Sequence, residues 1–168
     1  WNILLPGVGG SGVTTVGALL GMAAHIEGKG CTVLDQAGLA QKFGPVITHI
    51  RIAAQQSDIY AVRIAAGEAD LVLGCDMVVV NDYWTLSKLR AGRSQVVINS
   101  YEAMPGTFTT RPDMQFPAAD IVSAVRKALG GGEAGAGITE GGVEDAGHQS
   151  GASPGAGGEV LLVIAAFR

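Results

Sequence analysis

An apolar run, Ile3-Leu4-Leu5, breaks into Gly7-Val8-Gly9-Gly10-Ser11-Gly12 and then enters a long segment of small and apolar residues. Few folds accommodate that order. It predicts a strand, a tight turn and a helix. Gly7, Gly9 and Gly12 satisfy G-x-G-x-x-G, and Gly10 lies within the same turn. In such a turn one glycine permits the bend, one lets a ligand approach the backbone, and one lets the helix pack close to the sheet. The first amides of the helix lack intrahelical partners, so an anion can be held there without a cationic side chain. The same glycines also serve a turn that binds nothing, and the motif is too short to choose between a dinucleotide cradle and a purely structural bend.

The pattern downstream of the turn fits an α/β sheet. Val13, Val16, Leu19, Leu20, Ala23, Ala24 and Ile26 recur near the helical period, predicting a helix over 13–27 that stops at Gly28 and Gly30. A short buried strand over 31–35 then completes a βαβ unit. Asp35, at its end, stands where a dinucleotide-binding protein places the acid that accepts from a ribose hydroxyl, or it caps the next loop. The loop 36–45 follows at a position that lines the ligand crevice of an open sheet. Residues 46–53 alternate, with Val46, Thr48, Ile50 and Ile52 on one face and Ile47, His49, Arg51 and Ala53 on the other. His49 and Arg51 therefore point the same way, either gripping an anion or forming a solvated sheet face, and the second reading is preferred. Alternation over 59–64 slightly favours another strand, paired with 46–53.

Further strands are predicted over 69–76 and 95–99, and helices over 82–89, capped by Asn81 or Asp82, and over 118–129. If the strands are parallel, Asp35, Asp76 and Asn99 gather along one edge of the sheet. The expected fold is thus Rossmann-like α/β: a mostly parallel sheet flanked by helices, with possible antiparallel strands around 46–64.

Composition sets the limits. With 48% hydrophobic and 15% charged residues, the 168-residue chain has material for one well-buried domain. A net charge of −4 with 11 scattered basic residues argues against nucleic acid as a partner. Cys31 and Cys75 have no metal-ligand spacing and read as reduced core residues. No long apolar run suggests a membrane span and no leader is recognisable, so the default expectation is cytoplasmic. A start at Trp1, at the edge of a strand and without methionine, suggests a fragment or an excised domain. Residues 1–129 are expected to form the domain, 130–158 a Gly-rich flexible linker, and 159–168 an apolar terminal segment, strand or helix.

Three stretches together carry more information than the glycine motif. Gly7-Val8-Gly9-Gly10-Ser11-Gly12-Val13-Thr14-Thr15, Gly38-Leu39-Ala40-Gln41-Lys42 and Thr48-His49-Ile50-Arg51-Ile52-Ala53 resemble the gamma-type domain of 2-oxoacid:ferredoxin oxidoreductases, above all of the indolepyruvate:ferredoxin oxidoreductases. The segments 69–76, 97–99 and 108–117 continue the resemblance, which covers residues 1–129. The chain departs from that pattern at Phe43, Pro45 and Thr48, and Pro45 removes a backbone donor from the loop.

The resemblance implies oxidative decarboxylation of an aryl 2-oxoacid to its acyl-CoA, with electrons passing to ferredoxin. It implies thiamine diphosphate, Mg²⁺ and 4Fe-4S clusters in partner domains, coenzyme A as co-substrate, and no cofactor held by this chain, which alone is expected to be inactive. Candidate ligand-binding positions are Gly7, Gly9, Gly10, Gly12, Asp35, Gln41, Lys42, Gly44, His49, Arg51 and Asn99. The competing expectation is a self-sufficient NAD(P)- or FAD-binding oxidoreductase or nucleotide-binding module.

Overall fold

The computed structural model describes residues 1–38, 44–102 and 115–131, and the backbone of two short strands at 138–141 and 162–165. Gln41, Lys42, the segment 108–114 and most of 130–158 lie outside the described residues. The elements run β1 (Asn2–Val8), α1 (Val13–Ile26), β2 (Gly30–Ala37), β3 (Pro45–Ala53), β4 (Leu71–Gly74), α2 (Met77–Val80), α3 (Tyr83–Leu86), β5 (Gln95–Asn99), α4 (Ala118–Ala128), β6 (Ile138–Gly141) and β7 (Leu162–Ala165).

All seven strands form one sheet in the order β2-β3-β1-β4-β5-β7-β6. Pairing is parallel from β1 through β4, β5 and β7 to β6, whereas β3 is antiparallel to both β1 and β2. Loop length explains the reversal. Only residues 38–44 separate β2 from β3, and a parallel crossover needs about a dozen residues or more. The expected mostly parallel sheet with an antiparallel strand in the 46–64 region is therefore the one observed. The β1-α1-β2 unit is split, because β3 is inserted between its two parallel strands.

That insertion overturns two expectations. β2 is an edge strand, half-buried to exposed from Cys31 onward, rather than a buried one. Residues 59–64 form no strand, since both edges of β3 are already taken by β1 and β2. The segment lies across the face of β3, where Arg51 donates to the carbonyls of Ala61 at 3.1 Å and Arg63 at 3.3 Å. In the stretch expected to be a linker, Ile138–Gly141 pairs with β7, and Leu162–Ala165 of the terminal segment pairs with β5.

The sheet separates two cores. On one face α1 covers Ile3, Leu5, Val46 and Ile50, with Cys31, Leu71, Leu73 and Cys75 partly buried beside them. On the other face Leu4, Val72, Val96 and Ile98 pack with Ile64, Met77, Val80, Leu89, Ile121, Val125 and Leu129. Helix α1 approaches closely because of its glycines: a Cβ at Gly17 would stand 2.8 Å from Thr48 Cγ2, and one at Gly21 2.8 Å from Val33 Cγ2.

Candidate functional site

The glycine turn is built for packing at one end and for backbone conformation at the other. A Cβ at Gly7 would stand 2.5 Å from Val13 Cγ2 and 3.0 Å from the Cys75 Cβ, so no side chain fits between β1, α1 and β4. Gly10 and Gly12 have φ of +94° and +83°, in open space, and glycine is needed there for conformation. The amide of Gly9 donates to Gly44 O at 2.9 Å, and Ser11 donates to Val8 O from both its amide and its hydroxyl. Two amides expected to face a ligand are thus already used, one inside the turn and one by the residue that precedes β3. Among the described residues the amides of Gly10 and Gly12 have no such backbone acceptor.

Asp35, Asp76 and Asn99 do reach the carboxyl ends of parallel strands, but each is already engaged. Thr48 Oγ1 donates to Asp35 Oδ1 at 2.5 Å across the β2–β3 register. Asp76 caps α2 by accepting from Val79 N at 2.9 Å. Asn99 donates to Cys75 O at 3.3 Å and accepts from Tyr101 N at 3.1 Å, which ties the ends of β4 and β5 together.

His49 and Arg51 share a face, as their alternation requires, but that face is not solvated. The 59–65 segment covers it, leaving His49 3% exposed. Ile64 N donates to His49 Nδ1 at 3.2 Å, so the neutral ring carries its proton on Nε2, which donates to Gln36 Oε1 at 2.8 Å. Turning the Gln36 amide over would offer its oxygen to Arg63 but aim an N–H at Nε2, and a neutral imidazole has only one acceptor nitrogen. Burial, with Lys88 and Arg63 nearby, pushes the His49 pKa down to about 4. Arg51 donates to Asn2 Oδ1 at 2.9 Å and lies 3.4 Å from Glu68 Oε2, so it too is structural.

His49 forms part of the wall of a cavity of about 300 Å³ on the sheet face opposite α1. Leu4, Ile47 and Ile64 form its apolar lining, and Gln36, Arg63, Trp84 and Lys88 supply its other walls. Of these residues only His49 stands out in the sequence as a candidate. A usable signal was present, since Trp84 and Lys88 are four apart in a predicted helix and so share a side of it. The position of Arg63 in an irregular segment carried no such mark.

Neither cysteine is disulfide-bonded. Burial raises the thiol pKa of Cys31, and burial with the neighbouring Asp76 raises that of Cys75, which disfavours the nucleophilic thiolate at both. Two cysteines cannot furnish the four thiolates of an iron–sulfur cluster. Among the described residues no three His, Cys, Asp or Glu side chains converge as a metal site, and no helix is long and apolar enough to cross a membrane.

The family profile described as pyruvate ferredoxin/flavodoxin oxidoreductase matches residues 2–139. The chain is 37% identical over 78 residues to indolepyruvate oxidoreductase subunit IorB of Thermococcus kodakarensis, a match covering 46% of this chain and 37% of that protein. It is 29% identical over 130 residues to the subunit of the same name from Methanothermobacter thermautotrophicus, covering 77% of this chain and 63% of the relative. The chain therefore spans only part of each relative's length. Among solved structures it is similar to pyruvate oxidoreductase subunit PORC of Thermotoga maritima, at 15% identity and a TM-score of 0.48, covering 77% of this chain and 76% of that one. It is also similar to the gamma subunit of a keto/oxoacid ferredoxin oxidoreductase from Geobacter sulfurreducens, at 19% identity and a TM-score of 0.45, covering 77% and 73%.

Proposed function

The chain belongs to the pyruvate ferredoxin/flavodoxin oxidoreductase family, and from that membership we propose that it is a noncatalytic assembly and coenzyme A-side domain of a 2-oxoacid:ferredoxin oxidoreductase. The names of its relatives favour indolepyruvate as the 2-oxoacid. In this reading the reaction is oxidative decarboxylation to an acyl-CoA, carried out on thiamine diphosphate in a partner domain, with electrons leaving through clusters to ferredoxin. The partners are the thiamine-binding domains of the same cytoplasmic enzyme.

One observation carries the assembly reading. Helix α1 is apolar on two sides: Val13, Gly17 and Ala24 are buried against the sheet, yet Val16, Leu19, Met22 and Ile26 are 38%, 65%, 57% and 77% exposed. Val16, Leu19 and Ile26, with exposed Ala23, recur at three- and four-residue steps and form one stripe. A surface helix that faces only water carries polar residues there. A contiguous apolar stripe of this kind marks an interaction surface. For the coenzyme A side, the open amides at Gly10 and Gly12 suit a phosphate at a helix start, and they are what supports that part of the reading.

Coexpression with a thiamine diphosphate-binding partner subunit tests the proposal. The expected result is a stable complex that the double variant Leu19→Glu/Ile26→Glu fails to form while keeping its circular dichroism spectrum. Stoichiometric NAD(P) or FAD binding by the chain alone, with turnover, would overturn it.

A further inference from the structure

The cavity beside His49 belongs to neither the glycine turn nor the α1 stripe, since it opens on the opposite face of the sheet. From its lining we infer that it is a binding site for a small organic anion, an aromatic ring bearing one carboxylate, with the anionic group held between Arg63 and Lys88 and the ring against Trp84. This inference does not depend on the function proposed above.

Charge selects the sign of the ligand. Among the described residues the cavity is lined by two cations and no carboxylate. The ion pairs found among the described residues are Arg51–Glu68 and Arg93–Asp70, which leave Arg63 and Lys88 without an acidic partner there. Arg63 lies against the Gln36 amide, and both cations face His49 closely enough to help keep its ring neutral. A guanidinium with no acidic partner presents a planar fork that matches a carboxylate or a phosphate.

The apolar part follows from the remaining walls. Leu4, Ile47 and Ile64 line the cavity, and Trp84, 64% exposed and edge-on to Tyr83 at 6.0 Å between centroids, offers an uncovered indole. About 300 Å³ is at the lower end of small-molecule pockets and suits a ligand of single-ring size.

The walls are held at their backbones. The Arg63 carbonyl accepts from Arg51, the Lys88 carbonyl from Ala69 N at 3.1 Å, and the Asp82 side chain fixes Trp84 N at 3.1 Å. Gln36 is positioned by the buried His49. The side chains that would meet the ligand thus start from fixed points on the 59–65 segment, on α3 and on the turn that follows it.

Titrating the full chain with phenylacetate, followed by tryptophan fluorescence and calorimetry, tests the site. Trp1 is the other indole, so Trp84→Phe assigns the signal. Saturable 1:1 binding is expected, at least tenfold weaker for acetate, which lacks the ring, and for benzyl alcohol, which lacks the charge. Benzyl phosphate separates the two sources of an anionic head: binding tighter than phenylacetate would overturn the carboxylate assignment. Arg63→Gln/Lys88→Gln is expected to weaken phenylacetate at least tenfold with an unchanged unfolding midpoint. Unchanged affinity in that variant, or no saturable binding by the folded wild-type chain, would overturn the inference.

Discussion

His49 is held neutral between an amide that donates to one nitrogen and a glutamine oxygen that accepts from the other. Its pKa falls from 6.5 to about 4 on folding, so between those values the unfolded chain binds the proton that the folded chain refuses. Stability therefore rises with pH in that window. The contribution of the neutral ring is complete above about pH 6.5 and is lost as pH falls towards 4, a total of roughly 3 kcal/mol. Urea unfolding across this range is expected to show that loss in the wild type and a shallower slope in His49→Gln. Asp70 acts in the same direction by another route. Burial opposes its ionisation, but hydrogen bonds from Arg93 and the Asn2 amide, both 2.7 Å, outweigh that and lower its pKa. Its stabilisation is present above its unfolded pKa and vanishes as pH falls through the lowered folded value. Asp70→Asn is expected to cost about 1 kcal/mol at neutral pH, because the pair is partly solvent-screened, and to cost little in acid.

Helix α1 rests on β2 and β3 through glycine, and that contact decides the sign of a familiar substitution. Gly→Ala in an exposed helix normally stabilises by about 1 kcal/mol. At Gly17 the new methyl would stand 2.8 Å from Thr48 Cγ2, on a β-branched side chain whose hydroxyl is fixed by Asp35. Gly17→Ala is therefore expected to destabilise by roughly 1–3 kcal/mol in thermal or urea unfolding. Thr48→Ser removes the obstructing methyl and keeps the hydroxyl, so the double variant Gly17→Ala/Thr48→Ser should recover most of the loss. A double variant as unstable as Gly17→Ala alone would mean that the helix is held off by something other than this contact. Two helix ends, by contrast, were readable, since Asp82 caps α3 and Gly28 ends α1 at φ +70°, whereas α3 stops at Leu86 instead of running to Leu89 as expected.

Across the whole molecule the two sheet faces have different roles: α1 covers one and exposes an apolar flank, while short helices and the 59–65 segment cover the other around a cationic cavity. For the unassembled chain, Leu19→Glu/Ile26→Glu is expected to leave the unfolding free energy within about 0.5 kcal/mol, because both side chains face solvent. The same variant should reduce self-association in sedimentation. The sequence by itself determined the strand-turn-helix opening and most of the regular elements, because periodicity, capping residues and glycine punctuation act over a few residues; the family followed from the resemblance of particular stretches and not from these patterns. It also determined that His49 and Arg51 share a face, because strand alternation is local. Only the tertiary structure decided what covers that face, since the partners of Arg51 lie at Asn2, Ala61, Arg63 and Glu68, far apart in sequence. It likewise decided that β3 enters the sheet beside β1 and leaves β2 at the edge. Strand order and the meeting of Gln36, Arg63, Trp84 and Lys88 in one cavity are long-range packing outcomes, and no local pattern in the chain encodes them.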